Sequence, residues 1–491
     1  MNHADPVDPA CLEDRPLIGL REEWAVERNS DGTPKTDYTG LVLPAGVPEK
    51  KEPPRLATPS LDDFVLPSGP VGLEEASEVA FSRLAALDEL YLQGDEIVEV
   101  RDRDDPANAE IVGIDQTAFR SRLELVGRLF EYRKNGPDFL LGPGLASELT
   151  AKAMMKTRAK RLLKPLALLV RSAIITEGAD GNLCILGSGY YPFGGGKKVI
   201  CETTPPEVPL AESLRGIYRP FEDFKFQTEG DARRAIAYVI LPALVLGGLV
   251  PDHAPISLVE AEPGSNKEYL QDVTAAFYGE IPYLTSKKRT SPGGFDEQLG
   301  EGMLRGRPFI KIDNGGNKFD SEYLETLLTA ERAPARVCYG RAVEVDPRHH
   351  FFCITTNEAP ITPRLRRRCW IIRIRPRSIL YVRGRYREGN GRILNHILAN
   401  QPYYLGCIFA VIKEWHRLGK QRTNEMRHSF DGCTQVLDWI MQNIFKTDPL
   451  FADYDASGEP FPTFEETDTT LFDGLLAPRP DIVGEPSAQQ I

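Results

Sequence analysis

The 491-residue chain has eight cysteines but no Cys-x-x-Cys pair and no short, even cysteine spacing. That absence argues against a disulfide framework and a cysteine zinc module, and it fits a reducing cytosol. The first residues lack a basic stretch followed by an apolar one, so no signal peptide is predicted. Long hydrophobic runs are missing too. The longest apolar stretch, residues 235–250, contains Pro242 and two glycines and is too short to cross a bilayer. No internal repeat is present. The expectation is a soluble cytoplasmic protein of a bacterial host or phage with no membrane partner.

Cationic excess is also lacking: the formal net charge is −12. This excludes a nucleic-acid binder that works by overall charge and leaves local clusters to be judged individually. The length allows two to four domains. Residues 1–70 and 456–491 are rich in proline and charge with little periodicity, and read as disordered tails. Between them the texture predicts a mixed α+β region at 71–225, an α/β domain at 226–378 and a helical C-terminal module at 379–455. Finer readings are helices at 117–130 and 393–418, and a basic helical stretch at 148–163 that reads as a solvated face or a duplex-contacting surface.

Chemistry concentrates in 226–378. Ile256-Ser-Leu-Val-Glu-Ala-Glu-Pro-Gly-Ser-Asn-Lys-Glu reads as a strand, a tight turn and a helix start. A phosphate-binding loop needs that order, because loop and helix N–H groups cradle phosphate while a lysine adds charge. The working pattern G-x-x-x-x-G-K-[ST] is matched poorly at 261–268. Ala261 stands at the first glycine, Asn266 at the second and Glu268 at the metal-ligating Ser/Thr; Lys267 is retained, and Gly264 supports the turn. Pro263, Gly264, Ser265, Asn266, Lys267 and Glu268 are the candidate nucleotide-binding residues. The alternative is a plain Pro-Gly turn before a helix.

Three further pieces follow in order. Pro308-Phe-Ile-Lys-Ile-Asp-Asn is a short apolar strand ending in an acid, so Asp313 is placed to hold Mg²⁺, with Asn314 beside it. Phe351-Phe-Cys-Ile-Thr-Thr-Asn ends a second such strand at Asn357, a candidate for orienting water. Pro363-Arg-Leu-Arg-Arg-Arg-Cys-Trp supplies Arg367 and Arg368, either of which suits an arginine finger toward a neighbouring subunit's γ-phosphate. Spacings of about 45 residues from Lys267 to Asp313 and from Asp313 to Asn357 turn separately ordinary motifs into a constellation. Gly194-Gly-Gly-Lys-Lys lacks a strand-to-helix context and reads as a hairpin turn.

From about residue 85 to 450 the chain resembles the ATPases of bacteriophage and mobile-element primase-helicases, in superfamily 3 of the AAA+ group. The likeness is carried by Ile312-Asp-Asn, the run from Asp320 to Thr329, Arg336, Thr355-Thr-Asn and Arg367-Arg368. It implies an α/β P-loop AAA+-type core between a mixed α+β N-terminal domain and a helical C-terminal module. The implied activity is that of an ATP-binding ring helicase or DNA-remodelling ATPase in phage or mobile-element DNA replication. ATP and Mg²⁺ would be its cofactors, and single-stranded or forked DNA its partner. A homo-oligomer, a hexamer, is also implied, as are separate primase or replication proteins, since no zinc-binding priming module is present. In such rings a hairpin before the third motif enters the pore, which makes Tyr339 and Arg341 candidates for base stacking and phosphate pairing. Asn266, Glu268 and Arg364 depart from the family pattern, and the first two bear on hydrolysis rather than on the fold. The alternative is a catalytically degenerate AAA+ protein acting as a structural ring or DNA-binding adaptor.

Overall fold

The longest apolar run folds as a helix because every side of it is covered. α1 (Glu229–Leu246) is buried at every position after Glu229, as befits a helix that is apolar all round. Thr228 and Asp231 form a capping box at its start. Pro242 interrupts its hydrogen-bond ladder, and Tyr278 bridges the gap. The Ala243 amide donates to the Tyr278 hydroxyl at 3.1 Å, and that hydroxyl donates to the Val239 carbonyl at 2.5 Å.

The computed structural model describes residues 63–250, 253–262, 265, 267–286, 294–314, 319–336, 342–357, 361–376 and 392–455. Beside α1 lies a sheet built from β1 (Lys225–Phe226), β2 (Ile256–Ala261), β3 (Tyr283–Ser286), β4 (Phe309–Asn314), β5 (Phe351–Thr356) and β6 (Cys369–Arg375). The strand order is β1-β6-β2-β5-β4-β3. β1 runs antiparallel to β6, and every other pair is parallel. Parallel strands covered on both faces read as apolar runs rather than alternating ones, as β2 and β5 do. On one face, Tyr238 of α1 meets Trp370 edge-on, and Asp272 of α2 (Lys267–Ala276) pairs with Lys311 at 2.5 Å. On the other, Gly302 of α3 (Phe295–Leu304) lies against Ile310, and Arg366 of α4 (Pro363–Arg366) pairs with Glu260 at 2.6 Å.

The N-terminal region has its own core, centred on Phe64, Phe81, Phe119 and Leu123. Strand Asp63–Val65 pairs in parallel with Arg128–Asn135, and Phe64 is buried. The expected tail of 1–70 therefore extends too far. The helix expected at 117–130 is likewise corrected to Gln116–Leu123, because Phe130 is drawn into a strand by Val65 on one side and Pro143 on the other. Both corrections have one cause, a pairing partner distant in sequence. The basic stretch is a helix at Glu148–Met155 followed by a 3-10 turn at Arg158–Leu162. The helix expected at 393–418 breaks at Asn400 into Ile393–Ala399 and Gln401–Arg417, with a proline in the first turn of the second.

Buried charge joins the regions. Arg171 forms an ion pair with Glu280 at 2.7 Å, with both side chains almost fully buried, and its guanidinium also donates to the Pro106 and Ala109 carbonyls. Arg234, fully buried in α1, pairs with Asp231 at 2.8 Å and with Asp453 at 2.6 Å, which fastens the end of the described chain to the central helix. Breaking a buried pair by removing one partner typically costs about 3–5 kcal/mol.

The triglycine segment is a hairpin turn: Gly189–Tyr191 runs antiparallel to Lys197–Val199. Gly194, Gly195 and Gly196 all take positive φ, and a Cβ on Gly196 would overlap the Pro165 carbonyl. Lys197 is buried beneath it, donating to the Leu246 carbonyl at the end of α1 (2.7 Å) and lying 4.2 Å from the Phe193 ring centre. Burial pulls the Lys197 ammonium down to about 7. Above that pH the unfolded chain, with its lysine near the ordinary value of 10.5, binds the extra proton, so this residue makes stability rise with pH. Between pH 7 and 9 the urea midpoint of the wild type is expected to gain on that of Lys197→Met, which has no group to titrate. Parallel midpoint curves for the two proteins would refute the assignment.

Candidate functional site

Register places the candidate residues before any side chain is considered. β5 lies between β2 and β4, so Asp313 pairs with Thr355 and Thr355 with Val259 in one row across the sheet. The next row is Asn314, Thr356 and Glu260. Residues level with one another in parallel strands share a face. Asp313 follows Lys311 by two residues, so it belongs to the face that α2 covers through the Lys311–Asp272 pair. In open α/β sheets, ligands bind at the carboxyl ends of the strands, where connections diverge to opposite sides. Here β2 leads through α2 to the far edge at β3, while β5 leads through α4 across β2 to β6.

Lys267 opens α2 directly above that edge. Its ammonium donates to Oδ1 of Asn357, the residue that follows β5. Two residues 90 positions apart are thus brought into contact one strand away from Asp313. Glu268 is exposed in the first turn of α2, whereas Ser265 is buried and turns inward, its hydroxyl donating to the Glu262 carbonyl at 2.7 Å. Pro263, Gly264 and Asn266 lie outside the described residues. Asn314 ends β4, its backbone level with Thr356 in the next row.

The two arginines sit elsewhere. The Ile256 amide donates to the Arg368 carbonyl at 3.0 Å, which fixes that segment against the first residue of β2. The six residues of β2 put about 17 Å of strand between there and the Lys267 edge, farther than an arginine side chain extends. The Arg368 guanidinium donates to the Glu325 carbonyl at 2.6 Å, while Arg367 is exposed. Neither arginine shares an edge with Lys267 in its own chain, and the two differ in that Arg368 is engaged internally.

Tyr339 and Arg341 lie outside the described residues, but the stem that carries them does not. Ala333–Arg336 and Ala342–Val345 form an antiparallel hairpin. It is braced on one side by α3, where Gly300 lies against the Arg336 backbone, and on the other by Gly94 against Val343.

Sequence reasoning assigned no role to two buried polar groups. Among the described residues Thr355 Oγ1 and Gln271 Oε1 have no hydrogen-bond partner, although Gln271 Nε2 donates to the Ile354 carbonyl at 3.1 Å. A signal for Thr355 was present, since threonine is an odd choice in the fully buried run of β5. Burial pushes the Cys353 thiol up to about 12. Among the described residues no group of three or more His, Cys, Asp or Glu side chains could hold a metal, and no helix is long and apolar enough to cross a membrane.

No protein-family model and no curated protein matches the chain. Solved structures do. One form of the NrS-1 C-terminal region aligns at 13% identity and a TM-score of 0.28, covering 46% of this chain and 54% of that one. Another, of residues 305–718, aligns at 11% identity and 0.35, covering 67% and 69%. SCCmec type IV Cch, described as an active helicase, aligns at 11% identity and 0.28, covering 71% and 68%. The chain thus spans about half the length of the first of these. A helicase is among the structures it resembles, but likenesses this remote carry no argument about activity, which rests on the geometry above.

A Cβ added at Gly300 would come within 2.5 Å of the Arg336 carbonyl oxygen and 2.7 Å of its amide nitrogen. Gly300→Ala is therefore expected to push the hairpin stem off α3 and to lower stability by about 1–3 kcal/mol. Chemical denaturation measures this, and an unchanged midpoint would show that the close approach is not needed.

Proposed function

We propose that this chain binds ATP with Mg²⁺ at the carboxyl edge of β2, β5 and β4, and that a ring of its subunits moves or remodels single-stranded or forked DNA in phage or mobile-element replication. The observation that carries the reading is the contact of Lys267 with Asn357, one strand from Asp313. In this reading Lys267 offsets the charge of the β- and γ-phosphates, Asp313 holds the metal through water, and Asn357 orients the attacking water, with Asn314 beside the cluster. A bound Mg²⁺ would neutralise charge developing on the phosphates. One carboxylate suits it, because this ion keeps several waters and relies on substrate phosphates for the rest of its shell. The buried, unpartnered Thr355 hydroxyl in the row of Asp313 fits such a hydrated group.

Arg367 acts across the subunit boundary in this scheme, since its position at the amino edge denies it the phosphates of its own chain. Tyr339 and Arg341, which lie in sequence between the paired strands Ala333–Arg336 and Ala342–Val345, contact the DNA in this scheme. ATP turnover by the wild type is expected to rise with single-stranded DNA and to fall by at least about a hundredfold in Lys267→Ala and in Arg367→Ala. Mixing those two variants is expected to restore part of the activity, because some boundaries then pair an intact loop with an intact arginine. Equal turnover by wild type and Lys267→Ala sinks the reading; full activity of Arg367→Ala removes the trans arginine alone.

A second reading is favoured by Glu268, which puts a carboxylate in the first turn of α2 where phosphates would approach. On that reading the chain is a ring or DNA-binding adaptor without hydrolysis. The repaired double variant Asn266→Gly, Glu268→Thr separates the two. A working site is expected to change only modestly, whereas a large gain in ATP turnover over the wild type would establish the adaptor reading.

A further inference from the structure

β5 is apolar from Phe351 to Ile354 and then carries two threonines, both fully buried. Thr355 is level with Asp313 on one neighbouring strand and with Val259 on the other. Its side chain therefore leaves the sheet on the face that carries Asp313 and that α2 covers. There its Oγ1 is buried without a hydrogen-bond partner among the described residues. One turn of α2 beyond Lys267, Gln271 reaches the same layer. Its Nε2 donates to the carbonyl of Ile354, the residue before Thr355, and its Oε1 is likewise buried and unpartnered.

A buried hydroxyl with no partner is unfavourable, and valine would fill nearly the same volume without that penalty. Two such groups, on two elements that flank Asp313, mark a place where something else completes the hydrogen bonding. The phosphate-loop pattern also asks for a Ser or Thr hydroxyl directly after the lysine to serve the metal. Glu268 occupies that position and is exposed.

Resting on the reading of this edge as a nucleotide site, we infer that Thr355 supplies from β5 the metal-site hydroxyl that the loop lacks. Its Oγ1 bonds the hydrated Mg²⁺ held by Asp313, and Gln271 Oε1 accepts from the same hydration shell. The hydroxyl has moved from the loop to the adjacent strand, and the register of β5 against β4 keeps it beside the carboxylate. Thr355 is thus a positioning residue for the metal, acting through its waters.

ADP binding to the full chain, measured by titration calorimetry with Mg²⁺ and with EDTA, tests this without requiring turnover. In the wild type, Mg²⁺ is expected to tighten ADP binding. Thr355→Val is expected to lose that increment by about 10- to 100-fold, as losses around metal ligands commonly do, while its affinity in EDTA and its melting temperature stay equal to or above the wild type's. Thr355→Ser is expected to retain the increment. If the valine protein fails to fold, Thr355→Ala carries the same expectation. A Thr355→Val protein with the full Mg²⁺ increment overturns the assignment and leaves the nucleotide site standing. A wild type that binds no ADP in either condition overturns both.

Discussion

Everything proposed for this protein depends on the insertion of one strand between two others. β5 hydrogen-bonds in parallel to β2 on one side and to β4 on the other, in a register that sets Val259, Thr355 and Asp313 level. Because side chains alternate with a period of two, a slip of one residue would turn the Asp313 carboxylate and the Thr355 hydroxyl to the opposite face. Burial of both faces makes such a slip costly, since Ile310, Ile312 and Ile354 would have to trade places with Lys311 and Cys353. The hydrophobic packing of the sheet thereby fixes the geometry of its polar edge. No loop has to hold these residues in place.

The same sheet ties the edge to the rest of the chain. α1 is positioned by its own apolar surface and by the Tyr278 hydroxyl that repairs its ladder at Pro242. Its start carries Arg234, which receives the end of the C-terminal module through Asp453, and its end receives the Lys197 ammonium from the triglycine hairpin. Arg171 then links the N-terminal region to Glu280, just after α2 and Tyr278. The paired strands Ala333–Arg336 and Ala342–Val345 stand between α3 and the Gly94 turn.

Charge is distributed in a way that the net value of −12 conceals. Ten arginines fall between positions 364 and 387, and the described ones differ in use. Arg366 pairs with Glu260, Arg368 donates to the Glu325 carbonyl, and Arg373 lies 3.4 Å from Asp231. Arg367 alone of the Arg366–Arg368 run is exposed. The length of β2 separates it from Lys267.

The sequence by itself determined the α/β character of the core, the succession of its apolar segments along the chain, the hairpin at Gly194–Gly196 and the polar residues that close β4 and β5. These are properties of short windows, where periodicity, turn residues and burial preference act over a few positions. It misjudged strand Asp63–Val65 and the helix near 117–130, because each depends on a partner far along the chain that local pattern does not reveal. Only the tertiary structure decided that Lys267 meets Asn357, that Arg367 and Arg368 sit at the opposite edge from Lys267, and that Thr355 and Gln271 keep polar atoms without a partner among the described residues. Those facts follow from which strands are neighbours and in what register. Strand order is set by packing the whole core, not by any one segment.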